Sequence, residues 1–312
     1  MLPLAPQVAN DYARLPKEDN TRLFELADAA RRKAFGDTIR LCMICSARSG
    51  LCGEDCAFCA QRRGSKAQIE IYGLKSALWM QERGEDAARA GAHRFSIVTS
   101  GRHTGKTETT TIATAVENMS KLPVQRCASL GVLDVGALQS LKRRGLQTYH
   151  HNLEAARSFY GSIVGTRTYD DNLATINAAR DAGLRICSGG IFGMGESWEQ
   201  RIELLTEMAR LDVDGVPINF LVPIPGTPLS DQPLLPPWEA LRIIALARLM
   251  MPAVDIIIAG GREPVLGDQQ HQIFRAGASS MMVGNYLTTS GRCLEDDLEM
   301  IAACGLRLEG KL

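Results

Sequence analysis

A strand–helix alternation repeated eight times constrains this 312-residue chain more than any other feature. Apolar runs of strand length occur at 39–46, 94–99, 125–129, 146–151, 184–191, 215–222, 254–259 and 279–283. Each is followed by a helix or a helix-bearing loop. Helices are expected over 76–90, 110–121, 134–144, 171–182, 197–211, 238–250, 264–276 and 294–304, with Gly91, Gly145 and Gly183 stopping three of them. The strand runs are nearly continuous in apolar residues, as parallel strands covered by helices should be. Eight such units over about 270 residues fit a closed (β/α)8 TIM-type barrel. An open doubly wound sheet is the alternative.

Residues 21–36 read as a helix preceding the barrel, with Leu23, Leu26, Ala29 and Ala30 on one face and Gly36 as its stop. A single domain is expected over 1–312: an N-terminal helical extension over 1–38, a barrel core over 39–290 and a C-terminal helix over 291–312. The proline-rich stretch 223–237 reads as a long active-site loop rather than a boundary. The 35 basic and 35 acidic residues cancel, so no basic surplus points to nucleic acid. No run approaches the roughly 18 consecutive apolar residues of a membrane span. The start, Met1-Leu-Pro-Leu-Ala-Pro, lacks the charged-then-apolar order of a signal peptide. A cytoplasmic protein without membrane association is expected.

Five of the nine cysteines lie between Cys42 and Cys59, and in a reducing compartment clustered thiols point to metal rather than disulfides. Cys52, Cys56 and Cys59 are spaced C-x3-C-x2-C directly after the first strand. Three thiolates so close can hold three corners of an iron–sulfur cube and leave one iron open for a ligand. A structural zinc site is the competing reading, with Cys42 or Cys45 as the fourth ligand.

This spacing, with Phe58 just before the last cysteine, resembles the signature of the radical S-adenosylmethionine (SAM) enzymes. Further stretches resemble the biotin synthases within that superfamily: Tyr149-His-His-Asn-Leu-Glu154, Thr166-Arg-Thr-Tyr169, Cys187-Ser-Gly-Gly190, Pro217-Ile-Asn219, Pro225-Gly-Thr-Pro-Leu229, Ala259-Gly-Gly-Arg-Glu263 and Val283-Gly-Asn-Tyr-Leu-Thr-Thr289. The resemblance implies sulfur insertion into dethiobiotin to form biotin. It implies a 4Fe-4S cluster on Cys52, Cys56 and Cys59 whose open iron takes SAM, and a reducing partner of flavodoxin or ferredoxin type. A homodimer follows by the same analogy. Asn152 and Glu154 match positions that contact the ureido ring and the SAM ribose, where the family more often has Asp than Glu at the second. Asn219 matches a second ureido contact, and Thr288 and Thr289 match donors to the substrate carboxylate. Phe58 and Tyr149 are either adenine-side cofactor contacts or core residues.

Biotin synthases carry an auxiliary cluster that donates sulfur, and its usual 2Fe-2S ligand set is three cysteines and one arginine. Cys127 and Cys187 match two of them, but Ser96 stands at the third cysteine position and Ile257 at the arginine position. Cys42 lies where the family more often has serine. On strands one, three and five, Cys42, Cys127 and Cys187 should share one interior layer of a barrel. A four-iron auxiliary cluster on these three is therefore expected in preference to a 2Fe-2S cluster. Cys45, three residues further along the first strand, should face the other way. Cys293 and Cys304 match no cluster position and are expected in core packing. Two competing functions remain: another radical SAM barrel enzyme of the same branch, such as a hydrogenase-maturation protein or an amino-acid mutase, and a non-catalytic iron–sulfur carrier.

Overall fold

A computed structural model describes residues 2–16 and 19–310. The strands are β1 (Thr38–Arg48), β2 (Arg94–Thr99), β3 (Gln125–Ser129), β4 (Thr148–His150), β5 (Arg185–Cys187), β6 (Gly190–Phe192), β7 (Gly215–Phe220), β8 (Asp255–Ile258), β9 (Ser280–Met282) and β10 (Arg307–Leu308). The helices are α1 (Pro6–Ala13), α2 (Asn20–Phe35), α3 (Ala77–Arg89), α4 (Lys106–Asn118), α5 (Val135–Arg143), α6 (Arg157–Tyr160), α7 (Tyr169–Asp181), α8 (Trp198–Arg210), α9 (Pro237–Met250), α10 (Arg262–Leu266), α11 (Gln272–Arg275) and α12 (Leu294–Ala303).

Every strand pairing is parallel, and β9 returns to β1 with Cys42 opposite Met282, so the sheet closes on itself. With β5 and β6 counted as one interrupted strand, the closed sheet is the expected eight-stranded (β/α)8 barrel. Local chemistry starts its helices: Ser76 accepts from the Trp79 N–H at 3.2 Å, and Thr168 with Asp171 and Ser197 with Gln200 form reciprocal capping boxes. Gly91, Gly145 and Gly183 adopt positive φ at the helix stops, where other residues would be strained. The outward faces of the strands pack under the helices in one continuous core, and every residue of α9 from Ala240 to Met250 is buried.

Several boundaries differ from expectation. The run 184–191 is two strands, because the chain bends at Ser188–Gly189; a Cβ on Gly189 would collide with the Pro217 carbonyl. The helix expected over 264–276 is α10, a 3-10 turn over Gly267–Gln269 and α11, broken where Gly267 takes a φ of 48°. In α2 the buried face is Leu23, Phe24, Ala27, Ala30 and Arg31, while Ala29 is exposed and Leu26 half-buried. The short α1 and α6 and the two-residue β10, which pairs with the start of β1, lie outside the expected elements. The N-terminal segment is fastened by Arg242, which is 1% exposed. Arg242 donates to the carbonyls of Ala13, Leu15 and Pro16 and to Asn20 Oδ1 at 2.6–3.1 Å.

Candidate active site

Strand pleating decides which side chains enter the barrel. Cys42, Arg94, Ser96, Cys127, Thr148 and His150 point inward, and with Cys187 they line a cavity of about 430 Å³. Their neighbours Cys45, Ile97, Ala128, Tyr149 and Ile186 turn outward into the core beneath the helices. The same cavity is lined by Cys52, Cys56 and Cys59 of the loop after β1. All six thiols expected to bind clusters thus border one space, and none is in a disulfide. Among the described residues, no three His, Cys, Asp or Glu side chains converge as a site for a single metal ion.

The cysteine loop is held from three sides. The Gln61 side chain accepts from Gly50 N at 2.9 Å, and its carbonyl accepts from Cys52 N at 3.2 Å. Asp55 accepts from the backbone N–H groups of Gly165 and Thr166 at 2.9 and 3.1 Å, and these bonds hold its carboxyl below the usual range. Buried Glu54 accepts from Arg102 at 3.1 Å and from the Thr166 hydroxyl. Leu51, at the loop's outer turn, is 86% exposed with a φ of 51°, a left-handed conformation that side chains disfavour. Gly50 at the loop's start takes a φ of 75° and packs closely on Ile71, where a Cβ would sit 2.8 Å from the side chain.

Two arginines, Arg94 and Arg167, border the cavity with the thiols. Burial pushes Cys56 up to about 12 and Cys59 to about 11; Arg167 pulls Cys56 back, and the Gln61 backbone, ahead of Arg167, pulls Cys59 back. Deeper in the barrel, burial raises Cys42 and Cys187 and takes Cys127 to about 11, with Arg94 the first opposing influence on all three. Arg94 was not singled out in the sequence. It pairs in register with Cys42, and its Nη1 lies 3.8 Å from Cys42 Sγ and 2.5 Å from Asp255 Oδ2. Ile257, at the position where an arginine would complete the usual auxiliary set, also borders the cavity. Ser96 stands opposite Cys127 in register. Its buried Oγ faces the cavity without a hydrogen-bond partner, an orphaned group that calls for an occupant. The thiols and this hydroxyl are a donor set that suits an iron–sulfur cluster.

Higher in the cavity, Asn152 Oδ1 accepts from Gly189 N at 3.1 Å and its Nδ2 donates to Glu154 at 3.2 Å. Asn219 Oδ1 accepts from Gly260 N at 3.0 Å, and its Nδ2 donates to the Gly190 carbonyl at 3.2 Å. Each amide is thereby fixed while keeping one N–H and one lone pair for a ligand. Burial raises the Glu154 carboxyl, against the pull of Arg167 at 4.0 Å and Asn152. Glu154 also has a φ of 68°, a conformation uncommon outside glycine and often met at functional sites. Thr288, Thr289 and Phe58 line the cavity too.

Two expectations fail on position. Tyr149 does not reach the cavity: it lies between inward-facing Thr148 and His150, is 1% exposed and donates its hydroxyl to the Gly131 carbonyl at 2.6 Å. Its expected cofactor contact is therefore replaced by a core role. Cys293 is exposed just before α12 rather than packed in the core, whereas Cys304, just after it, is half-buried and packs against the core as expected. His151 borders the cavity but is buried and bonded through Nε2 to Asn172 Oδ1 at 3.1 Å. Burial lowers it to about 3 and its neighbour His150 to about 4, so both are neutral at pH 7.

Residues 48–208 match the Radical SAM superfamily, and residues 217–307 match the Biotin and Thiamin Synthesis associated domain. A curated biotin synthase of Nitratidesulfovibrio vulgaris is 48% identical over 95% of this chain and 82% of its own length. One from Syntrophus aciditrophicus is 47% identical over 96% and 92%. Among solved structures, a methylornithine synthase superposes with a TM-score of 0.86 at 20% identity, covering 98% of this chain and 94% of its own. The FeFe-hydrogenase maturase of Carboxydothermus hydrogenoformans gives 0.84 at 18% identity, covering 97% and 75%. At such low identity those two show a shared fold. The identity to the curated relatives over nearly the whole chain, with both family matches in order, shows that the chain belongs to the biotin synthase family of radical SAM enzymes.

Proposed function

We propose that this chain inserts sulfur between two unactivated carbons of dethiobiotin to form biotin, with Cys52, Cys56 and Cys59 holding a 4Fe-4S cluster that binds SAM and Cys42, Cys127 and Cys187 holding a four-iron auxiliary cluster. The observation that carries the reading is the opening of both thiol triads onto one cavity that also contains Asn152, Asn219, Thr288 and Thr289. When bound, the first cluster with SAM supplies a deoxyadenosyl radical and the auxiliary cluster supplies sulfur.

The chain's own residues bind, orient and exclude water. Glu154, anchored by Asn152 and close to Arg167, offers a carboxylate to the ribose hydroxyls of SAM. Asn152 and Asn219 offer their remaining N–H groups and lone pairs to the ureido ring, which is neutral and needs matched donors and acceptors. The hydroxyls of Thr288 and Thr289 receive the substrate carboxylate near the mouth. Phe58, Ile191, Phe220, Leu221, Val222 and Ile224 make the wall between these groups apolar, which keeps water from a reactive radical.

The proposal extends to a flavodoxin- or ferredoxin-type reductant, a homodimer and a cytoplasmic location. No helix among the described residues is long and apolar enough to cross a membrane. Anaerobic turnover of the reduced, reconstituted protein with SAM and dethiobiotin tests the reading. Biotin is the expected product. Deoxyadenosine without biotin would assign the chain to a different radical SAM reaction, and no SAM cleavage at all would favour a carrier role.

A further inference from the structure

The floor of the barrel holds an ion pair that the ligand assignments leave unused. Arg94 opens β2 and Asp255 opens β8, and they meet across the interior with Nη1 2.5 Å from Oδ2. Asp255 is fixed in turn by the hydroxyls of Ser279 and Ser280 at 2.6 and 2.7 Å, and Arg40 stands 3.6 Å away. Its side chain is 2% exposed. Arg94 Nε is 3.4 Å from Gln125 Oε1, and Nη1 lies 3.8 Å from Cys42 Sγ. Among the described residues Nη2 has no acceptor, and the guanidinium borders the cavity beside Cys42, Cys127 and Cys187.

A planar cation bonded to a fixed carboxylate is held in a restricted orientation. Here the Nη1 that bonds Asp255 also approaches Cys42, and the guanidinium borders a space lined by three thiols, at a depth where an unpaired donor is costly. The simplest alternative is a structural plug, since the lower end of a barrel usually serves stability. A plug accounts for the Arg94–Asp255 bond, but not for the approach of Nη1 to Cys42 or for an Nη2 that has no acceptor among the described residues beside the cavity.

We propose that Arg94, held by Asp255, is a positioning residue for the auxiliary cluster, donating hydrogen bonds to its sulfur atoms and placing a fixed positive charge beside it. The inference rests on the assignment of Cys42, Cys127 and Cys187 to that cluster. Donors and positive charge next to cluster sulfur favour the reduced form, and outer partners of this kind hold the group in place.

The test uses the reconstituted holoprotein and Arg94→Met, followed by redox titration of the auxiliary cluster's spectrum and by iron release to a chelator. The variant is expected to keep the full iron count but to shift the auxiliary midpoint potential downward. It should lose auxiliary iron about tenfold faster, the lower end of the effect of losing an outer partner. The SAM-binding cluster, in the same molecule, should keep its spectrum and show that the fold is intact. Arg94→Lys, which retains charge without the fork, should restore most of the potential but not the slow release. A lowered melting temperature with unchanged potential and unchanged release would make the pair a plug and overturn the proposal. If Arg94→Met does not fold, Arg94→Lys decides: faster release supports the proposal, and wild-type release overturns it. A Cys42→Ser protein that retains every iron would instead sink the underlying cluster assignment, whatever Arg94 does.

Discussion

Replacing Cys42 with serine is expected to lower the reconstituted iron content from about eight to about four atoms per chain. Biotin formation should fall to background while reductive cleavage of SAM continues. The expectation follows from where the strand turns this thiol. Cys42 faces the cavity, opposite Arg94 on one side and Met282 on the other, within the closed end of the barrel. Cys127 and Cys187 alone would leave a four-iron cluster with two protein thiolates in a buried site. Cys45 cannot replace the lost ligand. It is 5% exposed, sits outside the cavity lining, and burial pushes its thiol up to about 12. Iron content is the informative readout, since an inactive protein that still held all its iron would contradict the assignment.

The complementary replacement, Cys56→Ser, should reverse the pattern. About four iron atoms per chain should remain, now those of the auxiliary site, and deoxyadenosine formation should disappear together with biotin. Cys56 is buried beneath the loop that Gln61, Asp55 and Glu54 hold in place. Arg167 acts against the burial of its thiol. Quantifying deoxyadenosine in both variants separates radical generation from sulfur transfer. Continued SAM cleavage by Cys56→Ser would show that the C-x3-C-x2-C loop is not the SAM centre.

Much of this arrangement was legible in the sequence because it depends on local periodicity. Glycines at 91, 145 and 183 mark helix ends, and they occupy the positive-φ positions that end helices in the structure. The two-residue strand period alone puts Cys42 and Cys45 on opposite faces of β1. The same period, applied to Thr148, Tyr149 and His150, turns Tyr149 away from the cavity, whereas its motif alone is compatible with a cofactor contact or a core role. Gly267 inside an expected helix was a visible breaker signal. Arg94 had no such local mark. Its partner Asp255 lies 161 residues away, and the pair exists only because barrel closure brings the starts of β2 and β8 together. The resemblance implies an arginine where Ile257 stands, whereas the arginine that approaches a thiol of the deep triad is Arg94 on β2, 3.8 Å from Cys42 Sγ. The break at Ser188–Gly189 likewise depends on the nearby Pro217 carbonyl of β7, a contact that the sequence of β5 does not reveal.

The central claim is that the deep triad carries the sulfur that reaches the product. The most direct measurement is a single turnover by protein whose clusters were reconstituted with isotopically heavy sulfide, run with SAM and dethiobiotin in sulfide-free buffer. Heavy biotin is expected from the wild type and none from Cys42→Ser. Biotin of natural isotopic composition from the wild type would contradict it.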